Sequence, residues 1–163
     1  MNLYTKLQAR AATNTPICVG MIGAGKFGSM FLAQAIKLPG IHIVAICDID
    51  VGQAKSNLAY IGWPKDRYAA TSLDDARKHH STFLTDHSEL VINCPHIDII
   101  IECTGNPVAA VAHAVDAFAA QKHVINATVE ADAFCGAGLA AAAHEAGVIY
   151  SMAYGDQPAL VCD

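Results

Sequence analysis

The sequence contains few charged residues and no excess of positive charge. Only 15% of its 163 residues are Asp, Glu, Lys or Arg, and the formal net charge is −5. Proteins that bind nucleic acid or an anionic membrane through electrostatic attraction carry a basic surface, so the composition argues against both partners. The hydrophobic content of 53% instead favours a globular domain whose sheet is buried on both faces.

Long apolar segments are missing as well. No run reaches the roughly 20 apolar residues that a transmembrane helix needs, and the polar stretch 1–16 lacks the apolar core of a signal peptide. We therefore expect a cytoplasmic protein of about one domain.

The spacing of the six cysteines and eight histidines matches no metal-binding or redox motif. The sequence contains neither C-x-x-C nor H-x-x-x-H. Three of the cysteines, Cys18, Cys47 and Cys103, fall inside predicted strands, where they are expected to pack as small hydrophobic side chains. We predict no metal site.

The most informative stretch is a glycine-rich turn between a predicted strand and a predicted helix. The apolar run Cys18–Ile22 leads directly into Gly23-Ala24-Gly25-Lys26-Phe27-Gly28, and apolar residues with helical spacing begin just afterwards. This G-x-G-x-x-G pattern in a strand–turn–helix context is typical of dinucleotide-binding folds.

Each glycine of the turn has a separate expected role. Gly23 permits the sharp turn out of the strand, Gly25 lets a pyrophosphate approach the backbone, and Gly28 allows the helix to pack closely on the strand. The N–H groups at the start of the helix, around Lys26 and Phe27, then face the phosphates.

A P-loop is the competing interpretation of the same residues. Gly20 to Lys26 fits the first seven positions of that motif. The next residue, however, is Phe27, where the motif requires a Ser or Thr hydroxyl for magnesium. Because the motif lacks its metal ligand, the sequence argues against a nucleoside triphosphatase or kinase.

An acidic residue follows the second predicted strand, Ile41–Cys47. Asp48 lies 20 residues beyond Gly28, at the spacing of the carboxylate that accepts hydrogen bonds from the adenosine ribose. No Arg or Lys between Ile49 and Ala54 could neutralise a 2′-phosphate, so NAD is favoured over NADP. Alternatively, Asp48 only starts the following helix, and Asp50 shares or takes either role.

The rest of the chain alternates between predicted strands and helices. We predict a Rossmann-type doubly wound parallel sheet in three α/β/α layers, with strand order 3-2-1-4-5-6 and an irregular insertion at 61–82. The predicted helices are Leu3–Ala12, a helix ending near Leu38, Val51–Tyr60, Ser72–His80, His87–Asn93, Pro107–Gln121 and one opening at Thr128. The remaining predicted strands are Thr82–Thr85, Ile97–Cys103, His123–Asn126 and Val148–Met152.

Two later strand ends carry further candidates for the cofactor or substrate site. Cys103, Thr104 and Gly105 lie at the same sheet edge as the glycine turn and are expected beside the nicotinamide half of the cofactor, although an ordinary β–α turn would occupy the same place. Glu130 and Asp132 lie in the first turn of a helix, where acids commonly serve the helix dipole.

With these motifs in view, the chain resembles the N-terminal domain of homoserine dehydrogenase-like oxidoreductases that often carry a C-terminal SAF domain. The resemblance runs from Ile17 onward. Its most specific stretches are Val129-Glu130-Ala131-Asp132 and the segment from Tyr150 to Leu160, and Glu102 to Pro107 also matches.

The resemblance implies hydride transfer between a nicotinamide cofactor and a small hydroxy or carbonyl substrate. It also implies that Glu130, Tyr154, Asp156 and Gln157 lie near the nicotinamide and substrate. Some related proteins resemble an alternative 1-deoxy-D-xylulose 5-phosphate reductoisomerase that uses NADPH, so NADP stays open as a cofactor.

The family's members are longer than this chain. We therefore expect an entry segment at 1–16, an NAD(P)-binding domain at 17–154 and, at 155–163, the start of a connection to a catalytic domain that this chain lacks. The sequence does not determine whether the protein forms a homo-oligomer. The alternatives are a non-catalytic dinucleotide-binding module that senses redox state and, less compatible with six strands, a methyltransferase.

Overall fold

The computed structural model describes residues 2–153, which form a parallel sheet with helices on both faces. The strands are β1 (Ile17–Ile22), β2 (Ile41–Cys47), β3 (Phe83–Thr85), β4 (Ile99–Glu102), β5 (His123–Asn126) and β6 (Tyr150–Met152). The helices are α1 (Leu3–Ala12), α2 (Lys26–Ala35), α3 (Val51–Tyr60), α4 (Leu73–His79), α5 (Ser88–Ile92), α6 (Pro107–Ala119) and α7 (Val129–Ala146), with a 3-10 helix at Lys65–Tyr68.

The sheet order is β3-β2-β1-β4-β5-β6, and every pair of neighbouring strands is parallel. The predicted Rossmann-type fold and strand order are confirmed. The chain moves in one direction from β1 to β3 and in the other from β4 to β6, so the order reverses between β1 and β4. In open α/β sheets, ligands bind beyond the carboxyl ends of the strands at such a reversal.

The two faces of the sheet are covered by different helices. Leu32 of α2, Leu58 of α3 and the following Trp63 form one hydrophobic cluster with β1 and β2. The other cluster joins α4, α5, α6 and α7, with Phe118 and Leu139 among its buried residues. The central strands β1, β2 and β4 are apolar almost throughout, as expected for a parallel sheet buried on both sides.

Several predicted elements are longer than the observed ones. Strand β6 begins at Tyr150 rather than Val148, because Val148 N still donates to Ala143 O at 3.0 Å at the end of α7. Helix α2 ends at Ala35 rather than near Leu38, because the next residues close tighter turns, with Leu38 donating its N–H to Ala35 O at 3.1 Å. Strand β4 is shorter than the predicted Ile97–Cys103 because the N–H of Ile97 donates to Cys94 O in a turn and not to the neighbouring strand.

Within residues 2–153, none of the helices has the combination of length and apolar character that crossing a bilayer requires.

Candidate functional site

A cavity of about 350 Å³ lies at the carboxyl edge of the sheet, where β1, β2 and β4 end. Five of the residues that the sequence singled out line it, and they come from three separate turns: Gly23, Gly25, Asp48, Cys103 and Thr104. Side chains that the sequence did not single out also contribute, among them Asp86, Ser88 and His113. The cavity therefore lies at the sheet edge where the sequence places a dinucleotide.

The three glycines of the first turn have different surroundings. Gly23 has a φ of +96°, and a Cβ there would lie 2.6 Å from the carbonyl oxygen of Cys103. A Cβ on Gly28 would lie 2.6 Å from the carbonyl oxygen of Gly23. Around Gly25, by contrast, no atom lies within 4 Å of the Cβ position. The fold itself thus requires glycine at positions 23 and 28, whereas Gly25 keeps space in the cavity open.

Helix α2 begins at this turn without a capping side chain. Its N-cap is Gly25, which makes no side-chain hydrogen bond to the first turn, and Lys26 at the first helical position is exposed. The first N–H groups of a helix have no partner within the helix and lie at the positive end of its dipole. This end of α2 can therefore accept an anionic group such as a pyrophosphate.

The carboxylate of Asp48 is held against the glycine turn. One of its oxygens accepts a hydrogen bond from Ala24 N at 2.7 Å, and the other accepts one from Asp50 N at 2.9 Å. Asp50, not Asp48, caps helix α3, because its side chain accepts from Gln53 N at 2.8 Å. The two acids therefore have separate roles in the fold, and Asp48 is the one that lines the cavity.

A second contact to the same turn comes from Asn57, which the sequence analysis missed. Its side-chain amide donates to the carbonyl oxygen of Ala24 at 2.8 Å. Asn57 lies seven residues, or two helical turns, after Asp50, so both lie on the same face of α3. That spacing is the signal in the sequence that could have identified it.

The cavity is acidic. Asp48 and Asp86 both line it, and the described residues of its wall include no Lys or Arg. Such a wall attracts hydroxyl donors but repels an additional phosphate.

Cys103 connects the turn after β4 to the glycine turn after β1. Its Sγ donates a hydrogen bond to Gly23 O at 3.1 Å. Burial, together with the nearby carboxylates of Glu102 and Asp48, raises the pKa of the Cys103 thiol far above its ordinary value. The thiol is therefore a protonated donor that fixes the turn and not a nucleophile.

The turn after β4 uses its backbone N–H groups internally. Thr104 N donates to Glu102 Oε1 at 3.2 Å, and Gly105 N donates to Thr128 Oγ1 at 3.1 Å. The hydroxyl of Thr104 in turn accepts from Asn106 N at 3.2 Å. What this turn can offer a ligand is consequently its carbonyl oxygens and the Thr104 hydroxyl, rather than N–H donors.

Beneath this turn lies the fully buried side chain of Glu102. Its carboxylate accepts hydrogen bonds from Thr104 N and from the Thr128 hydroxyl, the latter at 2.5 Å. It also lies 3.5 Å from Nδ1 of His113. Burial alone would raise the pKa of Glu102, but these hydrogen-bond donors outweigh it, and the net shift is downward. Glu102 is therefore an ionised carboxylate inside the fold.

The remaining candidates lie elsewhere. Phe27 is not part of the wall of the 350 Å³ cavity and instead lines a second, apolar groove of about 780 Å³ on the α2 face of β4–β6. Glu130 is exposed in the first turn of α7. Tyr154, Asp156 and Gln157 fall outside the described residues. Within residues 2–153, no three His, Cys, Asp or Glu side chains are grouped so that they could hold a metal ion.

A six-stranded parallel sheet in this order, with a glycine turn leading into a helix at its centre, defines a Rossmann-type nucleotide-binding domain. Residues 17–127 match the model of the GFO_IDH_MocA family, described as an oxidoreductase family with an NAD-binding Rossmann fold. The chain belongs to this family. It is thus an NAD-binding domain of oxidoreductase type.

Solved structures with this fold include several oxidoreductases. A homoserine dehydrogenase from Thiobacillus denitrificans is 25% identical with a TM-score of 0.66, and the match covers 84% of this chain and 29% of that one. An NAD binding oxidoreductase from Klebsiella pneumoniae is 21% identical with a TM-score of 0.62, covering 90% of this chain and 37% of that one. GenD2 from gentamicin A biosynthesis, solved in complex with NAD, is 17% identical with a TM-score of 0.63, covering 84% and 34%.

The chain spans about a third of the length of these solved proteins. The similarities to the Klebsiella pneumoniae oxidoreductase and to GenD2 show a common fold and nothing more. No curated protein sequence matches the chain.

Proposed function

We propose that the chain binds NAD(H) at the 350 Å³ cavity and forms the cofactor-binding part of a dehydrogenase. The reaction is hydride transfer between the nicotinamide and a small hydroxy or carbonyl substrate, as in the homoserine dehydrogenase-like oxidoreductases that the sequence resembles. Family membership and the likeness to a homoserine dehydrogenase support this proposal.

The observation that carries the proposal is the open space at Gly25 beside the fixed carboxylate of Asp48. No atom lies within 4 Å of the Cβ position of Gly25. The Asp48 carboxylate lines the same cavity, and the hydrogen bond that it accepts from Ala24 N fixes its position. A pyrophosphate would lie over Gly25 and the start of α2, and the adenosine ribose would lie against Asp48. The nicotinamide half would then extend past β1 toward the Thr104 turn.

The charge of the cavity wall favours NAD over NADP. The 2′-phosphate of NADP would lie near Asp48, with Asp86 in the same wall. Enzymes that select NADP place an Arg near this position. This argues against the NADPH-dependent reductoisomerase branch of the resemblance, and for NAD as the cofactor.

We further propose that a catalytic domain, of the kind carried by the SAF-domain oxidoreductases, works together with this chain. The solved relatives are between two and three times as long. The apolar groove on the α2 face of β4–β6, lined by residues such as Met30, Ile101 and Met152, offers a surface against which such a domain could pack. Hydride transfer also requires that the substrate be held against the nicotinamide and shielded from water. Glu130, Tyr154, Asp156 and Gln157 are the candidates near that substrate.

Calorimetric titration of the purified chain with NADH and with NADPH tests the cofactor assignment. Saturable NADH binding, with NADPH clearly weaker, is expected. The Asp48→Ala variant should lose NADH affinity and reduce the difference between the two cofactors. Tighter binding of NADPH would overturn the assignment of NAD, and the lack of saturable binding of either cofactor would overturn the proposal as a whole.

A further inference from the structure

The buried carboxylate of Glu102 collects donors from three parts of the chain. It accepts hydrogen bonds from Thr104 N in the turn after β4 and from the hydroxyl of Thr128 at the start of α7, and Nδ1 of His113 on α6 lies 3.5 Å away. Thr128 Oγ1 is itself the acceptor for Gly105 N at 3.1 Å. The N–H groups of Thr104 and Gly105 are thus both fixed, directly or through Thr128, by this one carboxylate.

Stability of the sheet does not require a carboxylate at this position. Taking a charged group out of water is expensive, and an apolar residue of similar volume commonly gives equal or greater stability. The other side chains of β4, Ile99, Ile100 and Ile101, are all apolar. What the carboxylate supplies, and an apolar side chain could not, is a fixed conformation of the Thr104–Gly105 turn.

We propose that Glu102 and Thr128 are positioning residues for the nicotinamide half of the cofactor. They act through the Thr104–Gly105 turn and do not contact the cofactor themselves. The inference rests on the proposed function, because it assumes that a dinucleotide lies along this edge of the sheet.

The strand order determines which half of the cofactor depends on this turn. Asp48 follows β2, the glycine turn follows β1, and the Thr104–Gly105 turn follows β4, so the three lie side by side in that order. With the ribose of adenosine at Asp48 and the pyrophosphate at the glycine turn, the β4 turn meets only the nicotinamide half. A ligand without that half should not depend on Glu102 or Thr128.

ADP-ribose is such a ligand, and it provides the test when it is titrated beside NADH. The variants are Glu102→Gln and Thr128→Val, which remove the charge and the hydroxyl with little change in volume. Each should weaken NADH binding about tenfold, the equivalent of about one hydrogen bond to a charged group, and leave ADP-ribose binding at the wild-type value. The amide NMR signals of Thr104 and Gly105 should shift in both variants.

Two control variants separate positioning from a general loss of structure. Thr128→Ser keeps the hydroxyl and should restore wild-type NADH binding. Thr82→Val makes the same substitution just before the edge strand β3, where the buried hydroxyl donates to Ile43 O at 2.7 Å and takes no part in the Glu102–Thr128 contacts. It should leave the affinity for both ligands unchanged.

Equal weakening of NADH and ADP-ribose, or unchanged NADH binding in the Thr128→Val variant, would overturn the positioning role while leaving the proposed function intact. If Glu102→Gln does not fold, the comparison of Thr128→Val with Thr128→Ser decides the same question. Absence of binding of either ligand to the wild-type chain would instead overturn the proposed function.

Discussion

The carboxylate of Asp48 accepts a hydrogen bond from the backbone N–H of Ala24 at 2.7 Å, across 24 residues of sequence. This bond ties the end of β2 to the glycine turn that follows β1. The group proposed to receive the ribose hydroxyls therefore also holds the turn that is proposed to receive the pyrophosphate. Binding of the two halves of the adenosine diphosphate group is linked through one side chain.

Replacing Asp48 by Asn should separate these two tasks. The single amide oxygen can still accept from Ala24 N, but the bond from Asp50 N is lost because an amide NH2 group cannot accept it. The free energy of unfolding should therefore fall by about 1.5 kcal/mol, the contribution of one hydrogen bond. The loss of the charged acceptor for the ribose hydroxyls should weaken NADH binding about tenfold or more. Calorimetry and urea denaturation measure the two effects.

Asp50→Asn is the matched control for this experiment, because it removes the same charge two residues away. Asn is as good an N-cap residue as Asp, so α3 should be retained and NADH should bind as in the wild type. Equal loss of NADH affinity in both variants would show that net charge, and not the position of Asp48, determines binding.

Gly28→Ala should destabilise the fold. Its Cβ would lie 2.6 Å from the carbonyl oxygen of Gly23 and would also meet the methyl group of Met21. The carbonyl belongs to the glycine turn and cannot move without opening the contact between α2 and β1. A loss of about 1–3 kcal/mol is expected from overpacking of this kind, measured by urea denaturation. Wild-type stability in this variant would mean that α2 and β1 are not packed closely at Gly28.

The free energy of unfolding should fall as the pH drops below about 6.5, partly because of His42. This side chain is nearly buried, and its Nε2 lies 2.8 Å from Ser81 O. Burial lowers the pKa of His42 below its ordinary value of 6.5, with smaller contributions from His80 and Arg67, although the hydrogen bond to Ser81 opposes the shift. Below pH 6.5 the unfolded chain therefore binds a proton that the folded chain resists, and stability is lost.

Urea denaturation of His42→Gln between pH 7 and pH 5 tests this assignment. The variant should show a shallower decline in stability than the wild type, since one of the groups responsible has been removed. His144→Gln, which changes an exposed histidine on α7, should keep the wild-type slope. A wild-type slope in His42→Gln would assign the acid sensitivity to other groups.

The parts of the fold that could be predicted from sequence are those determined by neighbouring residues. The strand before the glycine turn, the helix that follows it, and the start of α6 at Pro107 all depend on a few consecutive residues. At the start of α6, the Asn106 side chain accepts from Val108 N and Ala109 N at 3.1 Å and caps the helix. The strand order also followed, since β–α alternation with right-handed crossovers leaves few arrangements.

The contacts that could not be predicted join residues from separate elements. Glu102, Thr128 and His113 meet only because β4 and β5 pair in one register and α6 packs above them. The sequence gives the place of each of these residues along the chain, but not the distances between their side chains. Sequence spacing does not distinguish Asp48 from Asp50 as the start of α3, and only the geometry shows that Asp50 is the cap.

Titration of NADH into the wild-type chain and the Gly25→Ala variant tests whether the pyrophosphate of NADH lies over Gly25. Gly25 has an ordinary φ of −69° and open space at its Cβ position, so alanine fits there at a cost of about 1 kcal/mol for the weaker N-cap. Its methyl group, however, would occupy the space proposed for the pyrophosphate. Gly138→Ala is the control, because Gly138 is an exposed residue of α7 and its Cβ position is equally open. Saturable NADH binding is expected in the wild type and in Gly138→Ala, and its loss is expected in a folded Gly25→Ala. Unchanged binding in Gly25→Ala would contradict this placement of the pyrophosphate.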